Sequence, residues 1–175
     1  RMRRYFTFLV FIVISSATYC QDYKKQIEGL DTAYAQGDYP LAKKIIDKIY
    51  PTAATVIKDD TVLVEFLSTC GSVYFQTSEY KKAGEYFKEA SLKALQKLGE
   101  KDYRYSLANF NLAACYKQEG RYPEAEPLFL QSLPVLADAF GQSSIEYTRC
   151  FYTLASLYIE MAKFAEAESM CAVAV

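Results

Sequence analysis

Small, apolar and aromatic positions recur along this chain at a fixed interval. Within Leu112-Ala113-Ala114-Cys115-Tyr116-Lys117-Gln118-Glu119-Gly120-Arg121-Tyr122-Pro123-Glu124-Ala125, a Tyr is followed by Gly four residues on, Tyr six on and Ala nine on. Tyr74, Tyr80 and Ala83 repeat the spacing 42 residues earlier, and Tyr158, Phe164 and Ala167 repeat it 42 later. Ala33, Gly37, Tyr39 and Ala42 form a fainter copy 41 residues before the second. A fixed period over most of a chain marks a repeat array.

Each unit reads as two helices and a tight turn. Gly120 suits the position just past a helix end, where a left-handed backbone favours Gly. Pro123 suits the first turn of the next helix, where its missing N–H costs nothing. With only Arg121 and Tyr122 between them, the two helices must be antiparallel neighbours. Gly71, Ala113 and Ala155 on the first helices, and Ala83, Ala125 and Ala167 on the second, supply small residues at the closest approach. One such pair cannot bury its apolar faces alone, so pairs stack into an all-α solenoid.

The pattern predicts helices from about 22 to 36 and from 39 to 58, where Pro51 must kink or end the second. Asp59-Asp60-Thr61 offers caps for a helix reaching Gln76, and Tyr80 to Leu98 forms the next. The third repeat spans about 102–140 and the fourth about 144–175, giving approximate repeats 22–58, 60–98, 102–140 and 144–175 within an array over 18–175. Gly29 lies inside the first helix. Pro127 falls near a helix start and should be tolerated. Pro134 falls mid-helix at a cost of roughly 3 kcal/mol, and the apolar pattern continuing through Leu136, Ala139 and Phe140 favours a bend over a break.

The string Gly120-Arg121-Tyr122-Pro123-Glu124-Ala125-Glu126-Pro127-Leu128, the linkers Leu98-Gly99 and Phe140-Gly141, and the Leu-Ala-x-x-Tyr helix that begins at Leu112 carry a resemblance. They resemble the tetratricopeptide repeat (TPR), in the 42-residue version found in kinesin light chains and many bacterial exported proteins. The usual TPR period is 34, and 42 would also suit HEAT or armadillo pairs; the internal Tyr–Gly–Tyr–Ala spacing favours TPR. The resemblance covers about residues 22–175 and is strongest in the third repeat. It implies a right-handed superhelical solenoid whose first helices line a concave groove for peptides or protein segments. Helical spacing turns Glu65, Ser68, Thr69, Ser72 and Gln76 toward that groove, then Phe110, Asn111, Ala114, Lys117 and Gln118, then Arg149, Tyr152, Thr153, Ser156 and Glu160. The partner-binding residues expected from these are Gln76, Phe110, Asn111, Lys117, Gln118, Arg149, Tyr152 and Glu160. In peptide-binding relatives an Asn in the column of Asn111 grips the peptide. Thr69 and Thr153 replace it in the neighbouring repeats, which argues against a complete carboxylate clamp.

Of the sixteen tyrosines, Tyr34, Tyr39, Tyr74, Tyr80, Tyr116, Tyr122 and Tyr158 fall at or beside repeat core positions, so these seven are read as packing rather than as sugar-stacking platforms. Lys81, Lys82, Lys88 and Lys93 among Glu85 and Glu89 read as a solvated face. With 51% hydrophobic and 23% charged residues the chain is ordinary for a globular domain. Its net charge is −1, and −4 without Arg1, Arg3 and Arg4, which offers no basic footprint for nucleic acid.

The absence of His removes Cys–His and Ser–His–Asp catalysis and the commonest zinc ligand. Cys20, Cys70, Cys115, Cys150 and Cys171 form no C-x-x-C pair. Cys70, Cys115 and Cys171 stand on packing faces as small hydrophobes. No catalytic residue, metal ligand or cofactor site is expected, and this segment is read as non-enzymatic.

Arg3-Arg4, the apolar run from Tyr5 to Ile14 and Ser15-Ser16-Ala17 read as a secretory signal peptide over residues 1–17. The run is half the length of a membrane span. Export to the periplasm, the outer-membrane surface or the extracellular space follows, with acylation of Cys20 as a competing reading. The apolar end from Ser169 to Val175 lacks a polar capping helix, from which continuation of the natural protein and self-association through this end are expected. The overall expectation is a non-catalytic interaction scaffold that binds protein or peptide and no nucleic acid, with no integral membrane segment in the mature chain. The alternatives are a regulatory or sensor region ahead of a caspase-like (CHAT) peptidase or histidine kinase domain, and a surface lipoprotein that binds glycans or nutrients.

Overall fold

The computed structural model describes residues 22–173, with side chains through Met170. The expected signal peptide, Cys20, Cys171 and the last residues before Val175 lie outside what is described. Among the described residues there are eight helices and no strand. These are α1 (residues 22–35), α2 (Tyr39–Val56), α3 (Asp60–Gln76), α4 (Tyr80–Lys97), α5 (Tyr103–Gln118), α6 (Tyr122–Phe140), α7 (Ile145–Glu160) and α8 (Phe164–Val173). They fall into two compact units divided after Lys58.

In the first unit, α1 and α2 bury Leu30 and Ala33 with Ala42, Ile46 and Ile49. The Tyr23 hydroxyl donates to the carbonyl of Ile49 and ties the start of α1 to the middle of α2. Pro51 neither ends α2 nor divides it; the helix continues to Val56. In the second unit each helix packs on the next, from α3 to α8, and the first helices also touch across repeats, α3 against α5 and α5 against α7. Phe87, Phe129, Leu67, Leu136, Leu154 and Leu157 are fully buried there. α6 runs unbroken through both Pro127 and Pro134.

Start signals are local. Asp59 accepts from the N–H groups of Thr61 and Val62, Asp102 from that of Arg104, and Ser144 from that of Tyr147. Each satisfies donors that the first helical turn leaves without partners.

The turn inside every repeat is the same double hydrogen bond. The N–H groups of Asp38, Glu79, Arg121 and Lys163 reach the carbonyls of Ala33, Tyr74, Tyr116 and Tyr158. One residue earlier, Gly37, Ser78, Gly120 and Ala162 bond to Tyr34, Phe75, Lys117 and Ile159. This is the Schellman pattern, and it needs a left-handed residue at the second set. Gly37 and Gly120 supply it at φ 73 and 72, but Ser78 and Ala162 are forced there at φ 62 and 55. A left-handed alanine costs about 1–2 kcal/mol, part of which is offset by the greater freedom of Gly in the unfolded chain. Ala162→Gly should therefore raise the unfolding free energy by about 0.5–1 kcal/mol, seen as a higher urea midpoint. A lower midpoint would show that the turn is held elsewhere.

Beside three of these turns a cation caps the repeat tyrosine. Lys82 Nζ lies 4.1 Å from the Tyr74 ring centre, Arg121 Cζ 4.1 Å from that of Tyr116, and Lys163 Nζ 5.6 Å from that of Tyr158. Lys163 also binds both carboxylate oxygens of Glu126, at 2.8 and 2.7 Å. Tyr74 and Tyr158 are buried, while Tyr34, Tyr39, Tyr80, Tyr116 and Tyr122 are half-buried, so the tyrosine column packs as expected but only partly inside.

Candidate partner-binding face

The first helices α3, α5 and α7 each carry one side that no second helix covers. Its side chains follow from helical periodicity: Glu65, Thr69, Ser72 and Gln76 on α3, Arg104, Asn111 and Gln118 on α5, and Arg149, Thr153 and Glu160 on α7.

Ion pairs stitch this face across repeats. Arg104 Nε lies 3.3 Å from Glu65, while its Nη1 lies 2.9 Å from Asp102. Lys117 Nζ on α5 lies 2.5 Å from Glu160 on α7. The Lys117 side chain is only 10% exposed, against 38% for Glu160. The hydrogen bond from Lys117 holds the Glu160 carboxyl below the usual glutamate range, and Tyr122 and Ser156 also donate to it. Arg149 reaches back from α7 over the Phe110 ring, 4.9 Å from its centre. A largely exposed pair such as Arg104–Glu65 contributes about 0–1 kcal/mol; both it and Lys117–Glu160 join one first helix to the next.

The structure separates the eight residues expected to bind a partner. Gln76 and Gln118 are exposed at the ends of α3 and α5, Asn111 is half-buried, and Arg149 and Glu160 are exposed. Among the described residues no hydrogen bond engages the Asn111 or Gln118 side chain, and no ion pair engages Arg149. Phe110 does not belong to the face. It is 3% exposed, in the core, with its ring 5.7 Å from that of Phe129. The expectation failed because α7 stacks on the side of α5 that carries Phe110. Lys117 is likewise not a free groove cation; its charge is committed to Glu160. Tyr152, 60% exposed, lies on α7 at the position that Phe110 occupies on α5.

One feature escaped the sequence reading. Helices α6, α7 and α8 line an apolar cleft of about 490 Å³, with Leu130, Leu133, Phe151, Leu154 and Met170 among its walls. One repeat earlier, Ser91 and Asn109 stand where Leu133 and Phe151 stand here, and Ser91 Oγ donates to Asn109 Oδ1 at 2.6 Å. A comparison of the two repeats position by position would have exposed the switch from polar to apolar.

Burial pushes the thiols of Cys115 and Cys150 up to about 12, which keeps them protonated near neutrality. Cys70 is also buried. Among the described residues no cluster of His, Cys, Asp and Glu could hold a metal ion, and no helix is long and apolar enough to cross a membrane.

Comparison with known proteins agrees with this architecture. The family profile described as tetratricopeptide repeat matches residues 62–138 and again 103–172. The crystal structure of BtubC (BKLC) from P. vanneervenii superposes with a TM-score of 0.70 at 18% identity, covering 90% of this chain and 68% of that one. A protein of Podosopora anserina, described as a kinesin light chain with nearly identical TPR-like repeats, gives 0.73 at 15% identity over 86% and 72%. A variant of it gives 0.74 at 15% identity over 87% and 72%. At these identities the likeness is one of fold. No curated protein matches the chain in sequence. The profile matches span more than half of the chain, and together with the repeated turn and the stacked helix pairs they make it a member of the tetratricopeptide-repeat family.

Proposed function

We propose that this chain is an exported, non-catalytic scaffold that binds peptide or protein segments along the face of α3, α5 and α7. TPR repeats generally serve protein–protein interaction, and the coarse function follows from the family. The observation that carries the finer reading is the set of uncommitted polar groups on that face. Asn111, Gln118 and Arg149 have donors to spare beside side chains already paired with one another. An extended peptide presents unpaired backbone carbonyls and carboxylates, which such donors match. The buried thiols of Cys115 and Cys150 stay protonated near neutrality and are not activated nucleophiles. Export rests on Arg3-Arg4, the apolar run from Tyr5 to Ile14 and Ser15-Ser16-Ala17.

Selection of a displayed peptide library on the purified chain, followed by fluorescence anisotropy of the selected peptides, tests the face. Arg149→Ala and Asn111→Ala should each weaken binding about tenfold, equivalent to about 1.4 kcal/mol. Asn111→Ala should leave the melt within about 0.5 kcal/mol of the parent, whereas Arg149→Ala also removes the guanidinium over the Phe110 ring and its binding loss is read against its own melt. Peptides that bind both variants as tightly as the parent would remove the face from consideration.

A further inference from the structure

A small polar cluster is sealed inside the junction of α4 and α5. Ser91 on α4 is 7% exposed, and Ser106 and Asn109 on α5 are 1% and 3% exposed. Ser91 Oγ donates to Asn109 Oδ1 at 2.6 Å. Two atoms of the cluster have no protein partner, the Ser106 hydroxyl and the Asn109 side-chain nitrogen, and they do not bond to each other. Turning the Asn109 amide over only exchanges which of its two atoms is left over.

Other helical serines of this chain behave differently. Ser68, Ser72 and Ser132 each give their proton to the carbonyl four residues back on their own helix. Ser106 does not take that route. Buried polar groups are rarely left without a partner, because each one so left keeps the full cost of its lost hydration.

The repeat itself does not call for polar residues here. On α3, Val64 and Leu67 hold the positions of Ser106 and Asn109; one repeat later, Leu133 and Phe151 hold those of Ser91 and Asn109. Ser and Asn are smaller than the residues they replace. Ala90 and Ala94, fully buried on α4 beside Ser91, add only methyl groups. The exchange therefore frees volume in the same junction that holds the unpaired atoms.

Ser106 and Asn109 lie one turn apart on the same side of α5, with about 5–6 Å between their Cβ atoms. A water between them can accept from the Ser106 O–H and the Asn109 N–H. Its own proton can go to Ser91 Oγ, whose proton is already given to Asn109. Three polar partners are the usual number for a buried water.

We propose that Ser91, Ser106 and Asn109 bind one internal water molecule at the junction of the second and third repeats. The site lies within the second unit and does not rest on the peptide-binding reading. With the water bound, every side chain of the cluster is satisfied, and hydrogen bonds as well as apolar contact hold α5 on α4.

Oxygen-17 relaxation dispersion of the solvent counts long-lived internal waters and is blind to hydroxyl protons. In the full chain, Ser106→Val with Asn109→Leu copies the α3 pair and should lower that count by one, with the circular dichroism spectrum unchanged. Ser132→Ala should leave the count as it is, because Ser132 already donates to the Leu128 carbonyl. A crystal structure of the parent chain should place one water within hydrogen-bond distance of Ser106 Oγ and the Asn109 amide, which keeps the proposal testable if the double variant does not fold. An unchanged count in the folded double variant overturns the proposal. So does a dry cluster in the crystal, with Ser106 donating to a backbone carbonyl.

Discussion

Phe110→Ala should lower the unfolding free energy by about 3–5 kcal/mol, while Tyr152→Ala, one repeat later in the same column, should change it by no more than about 0.5 kcal/mol in dilute protein. The two residues occupy equivalent positions on α5 and α7, and both are large aromatics. What differs is the cover. Phe110 is 3% exposed, with Phe129 beside it and the Arg149 guanidinium over its ring. Truncating it removes buried apolar surface and leaves a cavity that Phe129, itself fully buried, is poorly placed to fill. Tyr152 is 60% exposed and leaves no cavity. Urea titration at low protein concentration measures both. A Tyr152→Ala loss as large as that of Phe110→Ala would mean that Tyr152 is covered within a single chain. A small Phe110→Ala loss would mean that α7 does not stack on α5 as described.

That contrast also marks where the sequence was informative and where it was not. The helix pairs, their turns and the small residues at the crossings were legible because each depends on neighbours a few residues away. Gly120 and Pro123 bracket one turn, and Asp59 caps one helix. The exposure of Phe110 was not legible, because it depends on a helix about forty residues further on. A first helix has two sides that a helical wheel cannot tell apart, one facing solvent and one facing the next first helix. Lys117 failed for the same reason, since its partner Glu160 belongs to the following repeat. Ser78 and Ala162 were hidden differently. Neither residue favours a left-handed backbone, and only alignment with Gly37 and Gly120 shows that they occupy the same turn position. Of the two outcomes that Pro51 allows, a kink or an end, the structure excludes the end: α2 runs on, with Ala53 buried beyond the proline.

Ala125→Leu should cost about 1–3 kcal/mol by overpacking, and Ala137→Leu, on the same helix, should cost less. Ala125 is fully buried at the start of α6, in one cluster with Ala113, Phe110 and Phe129. Methyl side chains at both Ala113 and Ala125 are what allow α5 and α6 to approach. The preceding repeat shows how little room such a crossing has. A Cβ added to Gly71 would come within 2.7 Å of the Phe87 ring, and Phe87 is 2% exposed and cannot swing away. Adding three carbons at Ala125 therefore forces either an unfavourable rotamer or a separation of the two helices. Separation would also disturb Phe129 and the stacking of α7 beyond it. Ala137 is only half-buried and lies past Pro134 toward the end of α6, where a larger side chain can turn toward solvent. Melts of the two variants, compared at equal concentration, decide between a register-specific crossing and a general intolerance of bulk along α6. Equal losses would favour the second and detach Ala125 from the repeat pattern. A loss confined to Ala125→Leu would tie the 42-residue spacing to the closest approach of the paired helices.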